Sequence, residues 1–542
     1  MNPAWAQHLI MLPVLLPLMC GALLISLNES RHQLKFFVSL ASALSMLAIA
    51  ITLVWMTDSG QWPRGIGVYL AANWAAPFGI ALMVDRLTAV MLLLAATIAI
   101  AALLYSMQRW SRIGVHFHSL FQFLLMGING AFLTNDLFNL FVFFEVMLAA
   151  SYGLLLHGYN ATRLRAGIQY IAINLVASLL FLIGVALIYA SAGTLNMADL
   201  AGRLPGITGD ELVLLKVGVA VLAIAFLVKS AMWPLGFWLP ATYAAASPPV
   251  ATLLVMMTKV GAYVILRVWL LVFSAEAGAA AGFGFNVLLV GGMATIAFGS
   301  AGMLATEAPG RLAGYTAIVS SGILLAVIGY GQASLISAGL YYLLGSTLAL
   351  AAFMLLIELI QRISSSRAEM LALTMEAFAI EETPEEPVGV GIPAAVAVLG
   401  LSFAGCALVI AGLPPLPGFV AKFGLFHAML NPDAPNASVT PVTWALIALI
   451  VLSGLAAIIS LLRFGVRTFW AAGDIKPPRL PATEIAPIGL LLLLCIALTV
   501  QAAPILAYLQ RASDDLHLPA KYIERVLSQP AVPGVQQEKE AP

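Results

Sequence analysis

The stretch AFLVKSAMWPLGFWLP, residues 225–240, decides how this chain folds. A long apolar run leads into it, and Lys229 stands near its end with no acidic neighbour in sequence. Five residues later comes Pro234, preceded by Trp233. A proline inside a helix removes one backbone hydrogen bond and clashes with the turn before it. The same segment thus carries a charge and a break within a run apolar enough for a membrane.

The rest of the chain has the same character. Of 542 residues, 62% are hydrophobic and 9% charged, with a mean hydropathy of +1.00. Soluble domains carry roughly a quarter charged residues, so this composition excludes an ordinary soluble protein. Apolar runs of about 20 residues, the length that crosses the hydrocarbon core, recur throughout. The composition predicts an all-α polytopic protein embedded in a lipid membrane. A net charge of zero lends nothing to a nucleic-acid partner. Cys20, Cys406 and Cys495 each stand alone in an apolar run and read as buried thiols, not as a disulfide or metal ligands. The N-terminal MNPAWAQHLI has no basic stretch before its apolar run, so the first segment reads as retained.

The apolar runs resolve into about fourteen spanning segments, centred from Pro17 to Leu493. The loop TDSGQWPRGIGVYLAANWAAPFG, between segments 2 and 3, reads as extracytoplasmic and is a candidate hairpin. QRISSSRAEMLALTMEAFAIEETPEEP, after segment 11, is too long for a tight turn, and its acidic EETPEE reads as a solvated linker. Lys and Arg concentrate in the odd-numbered loops: Arg31, Lys35, Arg109, Arg112, Arg163, Arg165, Arg311, Arg362, Arg367, Arg463, Arg467, Lys476 and Arg479. The even-numbered loops hold little beyond Arg64, Arg86 and Arg203. An asymmetry of about thirteen to three places the odd loops in the cytoplasm and both termini outside.

Two segments contain breaks. Segment 7 breaks around Pro234, and segment 12 breaks at GLPPLPG, with Pro414, Pro415 and Pro417. The breaks lie five segments apart, so segments 4–8 and 9–13 read as two repeats, and an odd number of spans per repeat makes them inverted. Paired interruptions in matching positions of two halves point to a transport site. The expected division is 1–112 for segments 1–3, 113–275 and 276–470 for the repeats, and 471–542 for segment 14 with a polar tail.

Charges inside the membrane cost at least about 2.5–3.5 kcal/mol each at the helix centre, so each needs a reason. Glu145 is central in LFNLFVFFEVMLAASYGLLL; it is either a structural partner for a lysine or part of a proton path. Lys229 and Lys422 each stand about five residues from a break-forming proline, where snorkelling to an interface is a weak explanation. Broken helices free backbone carbonyls and make room for water. A lysine that feels both burial and a nearby carboxylate can load and release a proton as that partner moves. Lys259 is central in segment 8, with Gly261 leaving room beside it. Arg267, two turns on, reads as snorkelling or ion-paired, and Lys216 and Glu358 likewise. Asp136 reads as an N-cap, Asp85 and Arg86 as structural, and Glu307 with Arg311 as a surface pair. A metal site at His116 and His118 lacks further ligands. His427, five residues beyond Lys422, is a candidate extension of a relay. The sequence contains no Walker motif, Cys cluster, haem signature or nucleotide-binding glycine loop. The chemistry on offer is proton transfer, with neither cofactor nor metal.

These motifs resemble the antiporter-like subunits shared by Mrp-type cation/proton antiporters and respiratory complex I. The resemblance runs from about segment 3 to segment 13. It rests on the Glu of segment 5, the Lys before the break of segment 7, the block LPATYAAASPPVATLLVMMTKVGAYVILR, RLAGYTAIVSSG (311–322) and GLPPLPGFVAKF. LFNLFVFFEVMLAASYGLLLHG and GTLNMADLAG are most similar to the D-type subunits. The resemblance implies a fourteen-helix fold with inverted five-helix repeats and a Glu145–Lys229 ion pair. It makes Lys259 a central relay and Lys422 the second half-channel, with Ser320 and Tyr315 as further relay candidates. Ser320 stands where complex I relatives often carry His, and Gly345, Ser346 and Leu350 where some carry His and Lys, so water would replace those groups here. The implied function is a Na⁺(K⁺)/H⁺ antiporter subunit in a bacterial inner membrane, not an enzyme, with A, B, C, E, F and G-type subunits as partners. A proton-pumping subunit of a redox complex is the alternative. The short polar tail favours the antiporter.

Overall fold

The structure, a computed structural model, describes residues 3–158, 160–377, 393–433, 438–469 and 480–530. The EETPEE stretch, Lys476 and Arg479 lie outside them. Nineteen helices and one hairpin make up the described residues. In chain order they begin with α1 (Pro3–Ser26), α2 (His32–Asp58), β1 (Gly67–Leu70), β2 (Ala81–Val84), α3 (Arg86–Ser106), α4 (Phe117–Leu133), α5 (Leu137–Leu156) and α6 (Ala161–Ala192). Then come α7 (Met197–Arg203), α8 (Gly209–Lys229), α9 (Leu239–Ala245), α10 (Pro248–Val272), α11 (Phe285–Ala305), α12 (Pro309–Tyr330) and α13 (Ala333–Ala377). The last are α14 (Ala394–Ala411), α15 (Pro417–Leu430), α16 (Pro441–Phe469), α17 (Ala482–Val500), α18 (Ala502–Leu516) and α19 (Pro519–Leu527).

Every apolar segment of the sequence falls on one of these helices. Among the described residues 13 are long and apolar enough to cross a membrane, and the shorter α4 is the fourteenth. The bundle centres on α10, buried along its whole apolar window, with α12, α13 and α3 nearly as enclosed. The peripheral helices α1, α2, α11, α14 and α17 each keep a large apolar surface exposed. A charge on α10 therefore meets protein on every side.

Both sequence breaks are present, and they close the same way. After α8, Ala231 takes a left-handed φ of 57°; its N–H bonds Val228 O and that of Met232 bonds Leu227 O. After α14, Gly412 takes φ 80°, its N–H reaching Val409 O while that of Leu413 reaches Leu408 O. Both are Schellman motifs, which satisfy carbonyls that a helix end would orphan. The chain then turns and resumes as α9 or α15. Pro414 and Pro415 lie within the second break, whereas Pro417 is the first residue of α15, where its missing N–H costs nothing.

The hairpin expected between segments 2 and 3 forms, Gly67 pairing with Val84 and Leu70 with Ala81. The tail, by contrast, is more than polar. It folds into α18 and α19, whose buried Leu509, Leu516, Tyr522 and Val526 face the bundle. Arg511 pairs with Asp58 at 2.9 Å, and Arg86 bridges Asp58 and Asp515. Each tail helix is below spanning length, which hid its apolar face in a reading by run length.

Candidate functional site

Asp136 caps α5 as its position in sequence suggests, its carboxylate accepting the Asn139 N–H at 2.8 Å. Two turns on, the α5 surface divides. Phe144 points into the bundle and is fully buried. Glu145, a hundred degrees round the helix, faces α6, where its carboxylate accepts the Ser178 hydroxyl. No ion pair joins Glu145 to Lys229. The Lys229 ammonium instead lies 4.9 Å over the Phe144 ring. An aromatic ring thus lies beside the ammonium where the resemblance implied a carboxylate, and Glu145 is engaged by Ser178.

Lys229 is the last residue of α8, immediately before the break. Its side chain is buried and the ammonium has no hydrogen-bond partner. It borders a cavity of about 20 Å³ shared with Tyr170, Asn174, Trp238, Tyr243 and Thr258, above the roughly 10–15 Å³ that a water requires. The break is close to α10 because Gly261 has no side chain: a Cβ there would stand 2.9 Å from the Ser230 nitrogen.

Lys259, one residue past Thr258, is completely enclosed. Its ammonium donates to the Ser320 hydroxyl at 2.6 Å, and Ser320 in turn contacts the Ser346 hydroxyl at 3.1 Å. Two serines thus span from α10 across α12 to α13: Ser320, a relay candidate by resemblance, and Ser346, where water was expected to replace the relatives' His and Lys. Lys422, on α15, donates to the Ala411 carbonyl at 2.7 Å, the last carbonyl of α14. It fits between Gly412 and Gly454, where a Cβ would stand 2.6 Å from its Cδ and 2.9 Å from its Nζ respectively. Gly454 lies as far from Pro441 in α16 as Gly261 does from Pro248 in α10. Each of these helices thus meets a broken helix at an equivalent glycine.

The remaining candidates stand apart. His427 is exposed and lies tilted against Phe423, 6.4 Å between ring centres, on the outward side of α15. Tyr315 packs edge-on against Phe298, away from Lys259. Glu307 pairs with Arg467 at 2.7 Å, not with Arg311; the α16 end passes closer than the next turn of α12. Arg267 is ion-paired, held by both oxygens of Asp85 at 2.6 and 2.8 Å. Glu358 gathers Tyr105, Trp110 and Arg362, and Lys216 reaches the Ala279 carbonyl. Among the described residues no three His, Cys, Asp or Glu side chains form a metal-sized group. Ser178 and the cavity residues Asn174, Tyr243 and Thr258 escaped the sequence reading. Their only signal there is a small or amphipathic polar residue at mid-membrane depth.

A helical membrane bundle with two broken helices and a buried lysine beside each has the architecture of an ion-translocating subunit. A family model described as "NADH:quinone oxidoreductase/Mrp antiporter, TM" matches residues 134–448, and the chain belongs to this family. It is 52% identical over 531 residues, 97% of this chain and 98% of the other, to a protein of Rhizobium meliloti named as the probable D subunit of a K(+)/H(+) antiporter. It is 34% identical, over 96% of this chain and all of the other, to the D subunit of a Na(+)/H(+) antiporter of Alkalihalophilus pseudofirmus. Among solved structures, a chain of the Mrp complex from Dietzia sp. superposes with a TM-score of 0.82 at 25% identity, over 96% of this chain and all of that one. A chain of respiratory complex I from Thermus thermophilus shares the fold, with a TM-score of 0.72 at 21% identity, over 96% of this chain and 100% of the other.

Proposed function

We propose that this chain is the D-type subunit of a multisubunit K⁺(Na⁺)/H⁺ antiporter and carries its protons along Glu145, Lys229, Lys259 and Lys422. One observation carries the reading: all three lysines are buried, and none has an ion-pair partner among the described residues. Such ammonium groups are poised to give up a proton. The cation takes another route, since the lysines would repel it. The names of the relatives support potassium or sodium as cargo and A, B, C, E, F and G-type subunits as partners. The matched Schellman breaks and the paired glycines support two inverted repeats, 113–275 and 276–470, flanked by 1–112 and 471–542. The basic odd loops support an orientation with both termini outside, and the bacterial sources of the relatives support an inner membrane.

Everted vesicles from an antiporter-deficient host expressing the whole operon test this. Potassium or sodium should dissipate a preformed ΔpH in wild type. In Lys229→Ala the complex should assemble but the dissipation should vanish, and Glu145→Gln should slow it. Normal exchange by Lys229→Ala would refute the lysine's role. No exchange by assembled wild type would favour a redox-driven proton pump, the other branch of the family.

A further inference from the structure

We infer that the Asp85–Arg267 pair, covered by Tyr522, is a proton-tight plug that closes the outer end of the path above Lys259. The inference rests on the proton-carrying role of Lys259. Lys259, Tyr263 and Arg267 follow one another at intervals of four on α10, so they share a face and step away from the relay by about 6 Å each. A chain of polar groups continues along that face, and an open chain would let protons escape before reaching the second half.

Two features stop it. One turn outward from Lys259, Ser320 and Ser346 lies a cavity of about 20 Å³ bounded by Leu87, Met91, Leu324 and Leu340, with Tyr263 its only polar neighbour. Apolar cavities of this kind stay dry while bulk water is kept out, so with the outer end sealed no water bridges the gap. Beyond it, the Tyr263 hydroxyl donates to the Phe132 carbonyl at 2.7 Å and contacts the Thr88 hydroxyl at 2.9 Å. Arg267 Nη2 donates to the Thr88 hydroxyl at 3.2 Å and to Asp85. A proton wire needs every link to accept as well as donate. A guanidinium has donors only and keeps its proton in proteins, so the chain ends there. The Asp85 carboxylate is fully engaged by Arg267 and by the Thr88 N–H at 2.8 Å. The Tyr522 ring lies 5.5 Å from the guanidinium, with its hydroxyl on Asn135. The tail helix α19 thus seals the pair from outside.

The test measures ΔpH decay in everted vesicles carrying the whole complex, first with no K⁺ or Na⁺ and then with either added. Asp85→Asn/Arg267→Gln keeps the polar shapes but removes the donor-only cation. This double variant should leak several-fold faster than wild type without added cation. Adding Tyr263→Phe, which deletes the first hydroxyl of the chain outward from Lys259, should restore the wild-type rate. A double variant as tight as wild type overturns the plug. So does a leak that Tyr263→Phe leaves unchanged, since that marks general loosening. Should the double variant fail to reach the membrane, Tyr522→Ala decides by the same leak, alone and combined with Tyr263→Phe. Cation-dependent decay in wild type reports separately on the antiport reading, so the two can fail independently.

Discussion

Lys259 has a hydroxyl where a buried cation would ordinarily have a carboxylate. Removing that hydroxyl leaves a charged donor without a partner, at a cost above the roughly 1–3 kcal/mol of a neutral group. Ser320→Ala should therefore lower both the melting temperature of the purified complex and its exchange rate. Ser346→Ala is the cleaner change: the Lys259–Ser320 bond remains, and only the onward link is cut. It should slow exchange with little change in melting, and equal exchange by Ser346→Ala would remove the serine bridge from the path. The charges themselves were legible in the sequence, because a charge in an apolar run is conspicuous and costly. Ser320 was a relay candidate through the resemblance, but its bonds to Lys259 and Ser346 were not legible. A serine fits any close helix contact, and only packing decides that Ser346 meets Ser320 while Ser321, its neighbour, is left unbonded. The same holds for Glu145: its place in α5 was evident, but whether it faced Lys229 or Ser178 depended on the rotation of α5.

At the scale of elements, prolines located both breaks, but the shape of each break came from residues with no such signature. Ala231 adopts a backbone conformation that sequence reserves for glycine, whereas Gly412 announces itself. The glycines facing the breaks differ in what they accommodate. A methyl at Gly261 would meet backbone alone, the Ser230 nitrogen at 2.9 Å; one at Gly454 would meet the mobile end of Lys422 at the same distance and the Ala411 carbonyl at 3.0 Å. Backbone cannot yield without moving α8 against α10, and overpacking of this kind costs about 1–3 kcal/mol. Gly261→Ala should thus lower the melting temperature more than Gly454→Ala. Gly454→Ala should mainly displace the Lys422 ammonium from the Ala411 carbonyl and reduce exchange. Equal melting with unequal transport, or the reverse, would separate packing from proton path at each break.

At the scale of the whole molecule, hydropathy located the membrane segments but could not show which helices lie inside the bundle, since the fully enclosed α10 is less hydropathic than the half-exposed α16. It also missed how the two ends of the bundle are closed. The end opposite the tail helices includes His157, just past α5, whose ring nitrogen bonds the Trp110 carbonyl at 3.2 Å. A Cβ on Gly114 would stand 2.8 Å from the ring, so no water fits there. Burial pushes the imidazole below its ordinary 6.5; the Trp110 carbonyl works against that shift and the Arg163 guanidinium adds to it. Between the ordinary value and the lowered one, only the unfolded chain binds the proton. Stability from this site is therefore complete above about pH 6.5 and is lost as pH falls through the lowered value. Melting temperatures of the purified complex should decline from about pH 7.5 to 5.5, and His157→Gln, which cannot titrate, should show a shallower decline. Parallel curves for the two proteins would mean that the acid sensitivity arises elsewhere in the bundle.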